Sequence, residues 1–124
     1  MLVEPQIKAM VGTAQAAAAK VFYQDVLGLT LQSEDMFAIV FEGGGQTLRI
    51  NKVPAVVPSA YAVLAFQVGD IVASVRNIAA KGVVMERFPM LLADADGIWS
   101  APDGTRVTWF RDPDGNMLSL VQPK

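Results

Sequence analysis

Residues 111–120 read RDPDGNMLSL, a tight turn followed by a strand. The Asp-Pro pair favours the start of a turn, and Gly115 supplies a residue that tolerates positive φ. In the alternating run that follows, Leu118 and Leu120 fall on one face of the strand and Ser119 falls on the other. The stretch therefore predicts the last hairpin of a sheet, with the polar Ser119 among apolar residues.

A second copy of this pattern occurs earlier in the chain. GQTLRI at residues 45–50 matches GNMLSL at residues 115–120 position for position. In both halves a predicted strand precedes a helix that ends at a glycine, which is Gly28 in the first half and Gly82 in the second. Because the order of elements repeats together with the residues, we expect two copies of a βαβββ unit.

The boundaries of the units and their elements follow from the turn residues and from the apolar periodicity. We place the first unit at about residues 6–51, a proline-containing linker at 52–60 and the second unit at about 61–122. In the first unit we expect a strand at 6–13, a helix at 14–27, and strands at 29–33, 37–42 and 47–51. In the second we expect a strand at 62–68, a helix capped by Asp70 with an apolar stripe of Val72, Val75, Ile78 and Ala79, and strands around 83–88, 98–100, 105–111 and 117–122.

The length and composition indicate a soluble globular chain. Its 124 residues suit one domain or two small fused halves, and they suffice to bury a core. Apolar residues make up 52% of the chain, yet no stretch approaches the roughly 20 apolar residues that span a membrane. The N-terminus has Glu4 and Pro5 where a signal peptide carries basic and apolar regions. We expect a cytoplasmic protein, without membrane contact, whose apolar excess lines a cavity or a dimer interface.

Two residue types are missing, and their absence limits the chemistry. The chain has no cysteine, which excludes disulfides and thiolate catalysis, and no histidine, the usual general base and common transition-metal ligand. The net charge is −2 and no basic run occurs, so we expect no nucleic-acid partner.

Two motifs resemble the vicinal oxygen chelate superfamily, which includes glyoxalase I, extradiol dioxygenases and bleomycin-resistance proteins. VFYQDVLGL at residues 21–29 is similar to its helix-one signature, and residues 111–120 resemble its last hairpin. The resemblance covers about residues 6–122. It implies an α+β fold in which two tandem βαβββ modules form a cup-shaped mixed sheet with helices on the outside. Because that fold hosts many chemistries, the function has to be argued from the site.

Metal-using members of the superfamily hold a divalent ion at four positions, usually histidine, glutamate or glutamine. The resemblance places these positions on Lys8, Arg49, Val63 and Ser119 of this sequence. Lysine and arginine are cations without a free lone pair, valine has no ligand atom, and one serine hydroxyl is a weak ligand. We therefore expect the fold without its metal site and without a cofactor. A divalent metal would return to the prediction only if this register were wrong.

The cup implied by the resemblance would instead suit an organic ligand. Lys8 and Arg49 favour an anion, whereas Trp99 and Trp109 offer flat apolar faces for stacking. Strand alternation adds small and apolar neighbours on the inner surface. The predicted ligand-binding residues are Lys8, Met10, Arg49, Val63, Ala65, Trp99, Trp109, Met117 and Ser119.

The function that these residues favour is metal-free binding of an acidic or aromatic small molecule by a homodimer, in the manner of the bleomycin-resistance proteins. One alternative is a lyase, isomerase or dioxygenase that uses a non-standard metal site, or Lys8 as a base or Schiff-base amine. Another is a dimeric interaction module whose cup is filled by side chains. The residues also admit structural roles: Lys8 in solvent, Arg49 paired with Glu42 or another acid, Trp99 at the sheet edge or in a dimer contact, and either Trp109 or Phe110 in the core.

Overall fold

The computed structural model describes residues 1–124 and divides into two compact units, Met1–Val56 and Val57–Lys124. Both units have the same order of elements, which is strand, helix, strand, strand, strand. The division falls between residues 56 and 57, inside the segment 52–60 that joins the two modules.

The first unit forms a four-stranded mixed sheet. Its elements are β1 (Ala9–Thr13), α1 (Ala16–Val21), a π-helical turn (Phe22–Val26), β2 (Thr30–Glu34), β3 (Ala38–Gly43) and β4 (Gln46–Lys52). The strand order is β1-β4-β3-β2. β1 runs parallel to β4, and the other neighbours are antiparallel, because the helix crosses over between β1 and the hairpins that follow it.

The second unit repeats this topology. Its elements are β5 (Ala62–Gln67), α2 (Ile71–Ala79), β6 (Trp99–Ser100), β7 (Arg106–Arg111) and β8 (Met117–Gln122). The strand order is β5-β8-β7-β6, with β5 parallel to β8 and the remaining pairs antiparallel. The α+β class and the two tandem βαβββ modules are therefore confirmed.

In each unit the helix covers one face of the sheet. The Tyr23 ring lies 6.0 Å from the ring of Phe41 in the first unit, and both side chains are completely buried. In the second unit the backbone N–H of Ile71 donates to Gln122 Oε1 at 2.8 Å. Phe110 is completely buried on this helix-covered face, so Phe110, and not Trp109, belongs to the core.

The turn at residues 112–116 has the predicted geometry. Gly115 has φ of 84°, which confirms the positive-φ assignment. The buried Asp112 carboxylate accepts hydrogen bonds from the backbone N–H groups of Asp114 and Asn116 and from Asn116 Nδ2. These bonds satisfy the donors of the turn, and the carboxylate is thereby a structural group.

Three element predictions need correction. The strand expected around 83–88 is absent: only Glu86 pairs, in an isolated bridge to Trp109, because that edge of β7 is shared with the two-residue β6. The first strand begins at Ala9 rather than at residue 6. The helix expected at 14–27 begins at Ala16, and its last turn is π-helical, a change that apolar periodicity does not reveal.

The second helix begins as predicted. Asp70 Oδ1 accepts a hydrogen bond from the backbone N–H of Ala73 at 3.0 Å, so Asp70 is the N-cap. The buried residues of α2 are Ile71, Val75 and Ile78. No helix of the chain is both long enough and apolar enough to cross a membrane.

Candidate functional site

The first unit places Arg49 on the sheet face opposite the helix, which we call the Arg49 face. Arg49 lies in the middle of β4, between Met10 of β1 and Val40 of β3. Its Nε donates to Asn51 Oδ1 at 2.8 Å, two residues along the same strand. This bond orients the guanidinium along the strand and leaves the other N–H donors of the group for a further partner.

Arg49 has no carboxylate within the 4.0 Å of an ion pair, since the ion pairs of the chain join other groups. Glu42, the predicted structural partner, accepts from a backbone N–H three residues on instead. The charge of Arg49 still acts on Asp35, whose pKa is lowered by hydrogen bonds from the backbone N–H groups of Phe37 and Ala38 and then by nearby cations. Arg49 is thus a positioned cation without a contacting counter-ion.

The other predicted residues of the first unit are less constrained. Lys8 precedes β1 and is exposed, so it lies in water rather than in an apolar enclosure. Met10 is on the Arg49 face and 54% exposed. Of the predicted residues of this unit, the sheet therefore brings together only Met10 and Arg49. Lys8 is in solvent, as the alternative interpretation expected.

The second unit places the predicted residues on the sheet face opposite α2, which we call the tryptophan face. Ser119 of β8 lies between Ala65 of β5 and Trp109 of β7. Trp99 of β6 is opposite Val107, which shares the face with Trp109 because residues two apart on a strand point the same way. The two tryptophan rings lie 6.2 Å apart with an interplanar angle of 36°.

A third aromatic residue extends this pair. The Phe88 ring packs edge-on against Trp109, with centroids 5.3 Å apart and an interplanar angle of 88°. Trp109 is therefore the middle of three contiguous rings. Sequence reasoning missed Phe88 because it assigned the residue to a strand, where its side chain had no specified neighbour.

The residues of the tryptophan face differ in how much surface they offer. Trp99 and Trp109 are half-buried, and Val63 is 43% exposed. Met117 and Ser119 are buried, with 2% and 4% of their surface exposed. The accessible surface is consequently aromatic and aliphatic, and Met117 and Ser119 contribute almost none of it.

A charged pair adjoins the three rings. Arg111 is two residues from Trp109 on β7, and its Nε donates to Glu86 Oε1 at 3.0 Å. Its Nη1 donates to the backbone oxygens of Ser59 at 2.8 Å and Gly115 at 2.7 Å. Sequence reasoning treated Arg111 only as the start of the turn, although its alternation with Trp109 was a usable signal.

The sequence and the fold identify the family. The model of the Glyoxalase/Bleomycin resistance protein/Dioxygenase superfamily matches residues 7–120. The chain belongs to this superfamily. The resemblance seen in residues 21–29 and 111–120 is thereby confirmed.

Solved structures of the superfamily share the fold. The bleomycin resistance determinant encoded on the transposon Tn5 is 19% identical, with a TM-score of 0.76 over 97% of this chain and 98% of that chain. An antibiotic binding protein from Streptomyces sp. CB03234 is 20% identical, with a TM-score of 0.73 over 99% and 100%. A lactoylglutathione lyase from Agrobacterium tumefaciens is 18% identical, with a TM-score of 0.74 over 98% and 95%. No curated protein sequence matches the chain significantly.

The residues to which the resemblance assigns the metal positions do not fit a divalent ion. Arg49 and Ser119 occupy equivalent places in the middle of β4 and β8, and Val63 lies in β5. An arginine cation repels a metal ion, and valine offers no ligand atom. No three carboxylate side chains gather in an arrangement that could hold a metal ion.

Proposed function

We propose that this superfamily member binds a small aromatic molecule that bears an acidic group, and that it does so without a metal ion. The observation that carries the proposal is the row of three contacting rings, Phe88, Trp109 and Trp99, on a sheet face with accessible surface. Indole faces bind flat ligands by stacking and by burial of apolar area, and the indole N–H adds one donor. Small-molecule sites are lined mostly by apolar and aromatic side chains with a few placed polar groups.

The proposal has support from the charges and from the fold. Arg49 is a cation without a contacting carboxylate, which favours an anionic partner in the first unit. Members of the superfamily bind small molecules, and the neighbours named for bleomycin resistance and antibiotic binding share this fold. The predicted homodimer is part of the proposal, and light scattering of the purified chain would test it.

The decisive experiment compares binding with stability in Trp99→Ala. We expect this substitution to weaken the binding of naphthoate by about ten-fold or more, since a stacked aromatic contact is worth about 1–3 kcal/mol. The urea midpoint should change much less, because Trp99 lies on a two-residue edge strand and is half-buried. A large loss of stability with unchanged naphthoate binding would make Trp99 a structural residue and remove the proposal's main support.

A second experiment tests the metal-free part. Elemental analysis of the untagged protein, followed by thermal-shift titration with manganese, nickel, iron(II) and zinc, should give no stoichiometric metal and no upward shift. A stoichiometric metal with a clear stabilisation would contradict the register of Arg49 and Ser119. It would then favour the lyase or dioxygenase alternative.

A further inference from the structure

We propose that Arg111 recognises the acidic group of a ligand whose aromatic part lies on Trp99 and Trp109, and that Glu86 limits the strength of this recognition. The inference rests on the proposed function, namely that the tryptophan face binds an aromatic molecule. It assigns the anion-binding role within the second unit itself, to a residue that neither the repeat nor the predicted metal positions single out.

The strand geometry places the charge beside the rings. Arg111 and Trp109 point to the same face of β7 and are separated by two residues, a spacing of roughly 6.8 Å along a strand. Glu86 is directly opposite Trp109, in the bridge that extends this edge of the sheet. A ligand ring stacked on Trp109 would therefore carry a substituent directed along β7 to the guanidinium.

The guanidinium is held in place and retains a free donor group. Its Nε and Nη1 make three hydrogen bonds, to Glu86, Ser59 and Gly115, which fix its orientation before a ligand arrives. Nη2 makes none. The Arg111 side chain is 34% exposed, and no fully buried nitrogen or oxygen of such a partly buried side chain lacks a hydrogen-bond partner, so Nη2 retains some contact with solvent. A fixed guanidinium whose Nη2 still has hydrogens to donate binds a carboxylate oxygen through that nitrogen with little loss of side-chain entropy.

Glu86 weakens the attraction of Arg111 for an anionic ligand. Its carboxylate lies 3.0 Å from Nε, on the edge of the guanidinium to which one Nη2 hydrogen also points, so it adjoins the donor that a ligand carboxylate would use. The negative charge therefore opposes an incoming anion at short range. If the ion pair served the fold alone, loss of either partner would change the ligand preference in the same direction. If it recognises the ligand, loss of Arg111 lowers the preference for an anion and loss of Glu86 raises it.

The test uses naphthoate and its neutral isostere naphthamide as probes, with binding followed by NMR. The chain has two tryptophans, Trp99 and Trp109, so the two indole N–H signals report on this face directly. We expect the wild type to prefer naphthoate by about ten-fold, equivalent to about 1.4 kcal/mol. In Arg111→Gln the preference should fall to about one-fold. In Glu86→Gln it should rise by about three-fold, the effect in water of removing one charge roughly 6 Å from the ligand.

Each outcome decides the inference. If Arg111→Gln keeps the preference, or if Arg49→Gln abolishes it in place of Arg111→Gln, the inference is wrong and the proposed function stands. If neither probe moves the indole signals of the folded wild type, the proposed function fails, and the inference fails with it. Arg111→Gln also removes the two Nη1 hydrogen bonds. If that variant does not fold, Glu86→Gln is the deciding variant, and a naphthoate preference that is lower than in the wild type or unchanged overturns the inference.

Discussion

Substitution of Gly115 by alanine tests how the segment before β5 is seated on the last turn. Gly115 has φ of 84°, and a Cβ added there would lie 3.0 Å from both Cβ and Cγ of Pro58. Gly82 provides a matched control in the same unit. It has φ of 96°, and an added Cβ would meet nothing within 4 Å.

The two variants share one cost and differ in another. An L-residue in the left-handed region costs about 1–2 kcal/mol, and this applies to Gly82→Ala and Gly115→Ala alike. Only Gly115→Ala also pushes against Pro58, and such overpacking costs about 1–3 kcal/mol. Pro58 cannot move away freely, because the next residue, Ser59, accepts hydrogen bonds from Met117 N and from Arg111 Nη1, both at 2.8 Å. We therefore expect losses of about 1–2 kcal/mol for Gly82→Ala and about 2–5 kcal/mol for Gly115→Ala.

The assay is urea unfolding followed by tryptophan fluorescence. Both tryptophans lie in the second unit, so the transition reports on the unit that contains both substitutions. In a Pro58→Gly background the extra cost of Gly115→Ala should disappear, since the two contacting atoms are gone. Equal losses for the two alanine variants, within about 0.5 kcal/mol, would refute the contact and leave only the φ penalty.

Three further changes have expected outcomes. Asp70→Ala removes the N-cap bond of α2 and should cost about 1 kcal/mol in urea unfolding, whereas Asp70→Asn should cost much less. Hydrogen bonds from Lys52 and Lys20 lower the pKa of Glu34 below its ordinary 4.5. The contribution of Glu34 to stability is thus complete above pH 4.5 and is lost as the pH falls through the folded-state pKa, so the urea midpoints of wild type and Glu34→Gln should converge in acid. Asp112→Ala removes the acceptor of three hydrogen bonds in the last turn and should cost about 2–4 kcal/mol; a loss below about 1 kcal/mol would show that water replaces the carboxylate.

The sequence predicted the frame of the fold well because that frame depends on local and periodic signals. Turn glycines with positive φ, the Asp70 cap and the alternation in β8 are each fixed within a few residues of the chain. The internal repeat also indicated which residues of the two units are equivalent. Arg49 and Ser119 were aligned by sequence alone. In the structure they occupy equivalent positions, Arg49 in β4 beside β3 and Ser119 in β8 beside β7.

The open faces were harder to predict, because their contacts join residues far apart in the chain. The bond from Arg111 to Glu86 spans 25 residues, and the one to the Ser59 oxygen spans 52. No local pattern specifies such partners. The stretch 83–88 shows the same limit: its residues favour a strand, yet β7 has room for a single bridge at Glu86 because β6 occupies the rest of the edge.

The two units together separate what the fold requires from what a ligand would require. On the helix-covered faces the equivalent residues are alike: Phe41 and Phe110 are both completely buried against Leu48 and Leu118. On the opposite faces the equivalents differ in kind, since Arg49 lies beside Val40 in the first unit.

The counterpart of Arg49 in the second unit is Ser119, which lies beside Trp109. The arginine of this face, Arg111, lies two positions further along β7, beside Met117. The shared fold explains why the residues of the helix-covered faces are alike. It gives no reason for the differences between the residues of the opposite faces. The differences between the two open faces are therefore the part of the sequence in which ligand specificity has to lie. For the same reason, substitutions at Arg49, Trp109 and Arg111 will distinguish binding from folding better than any change in the core.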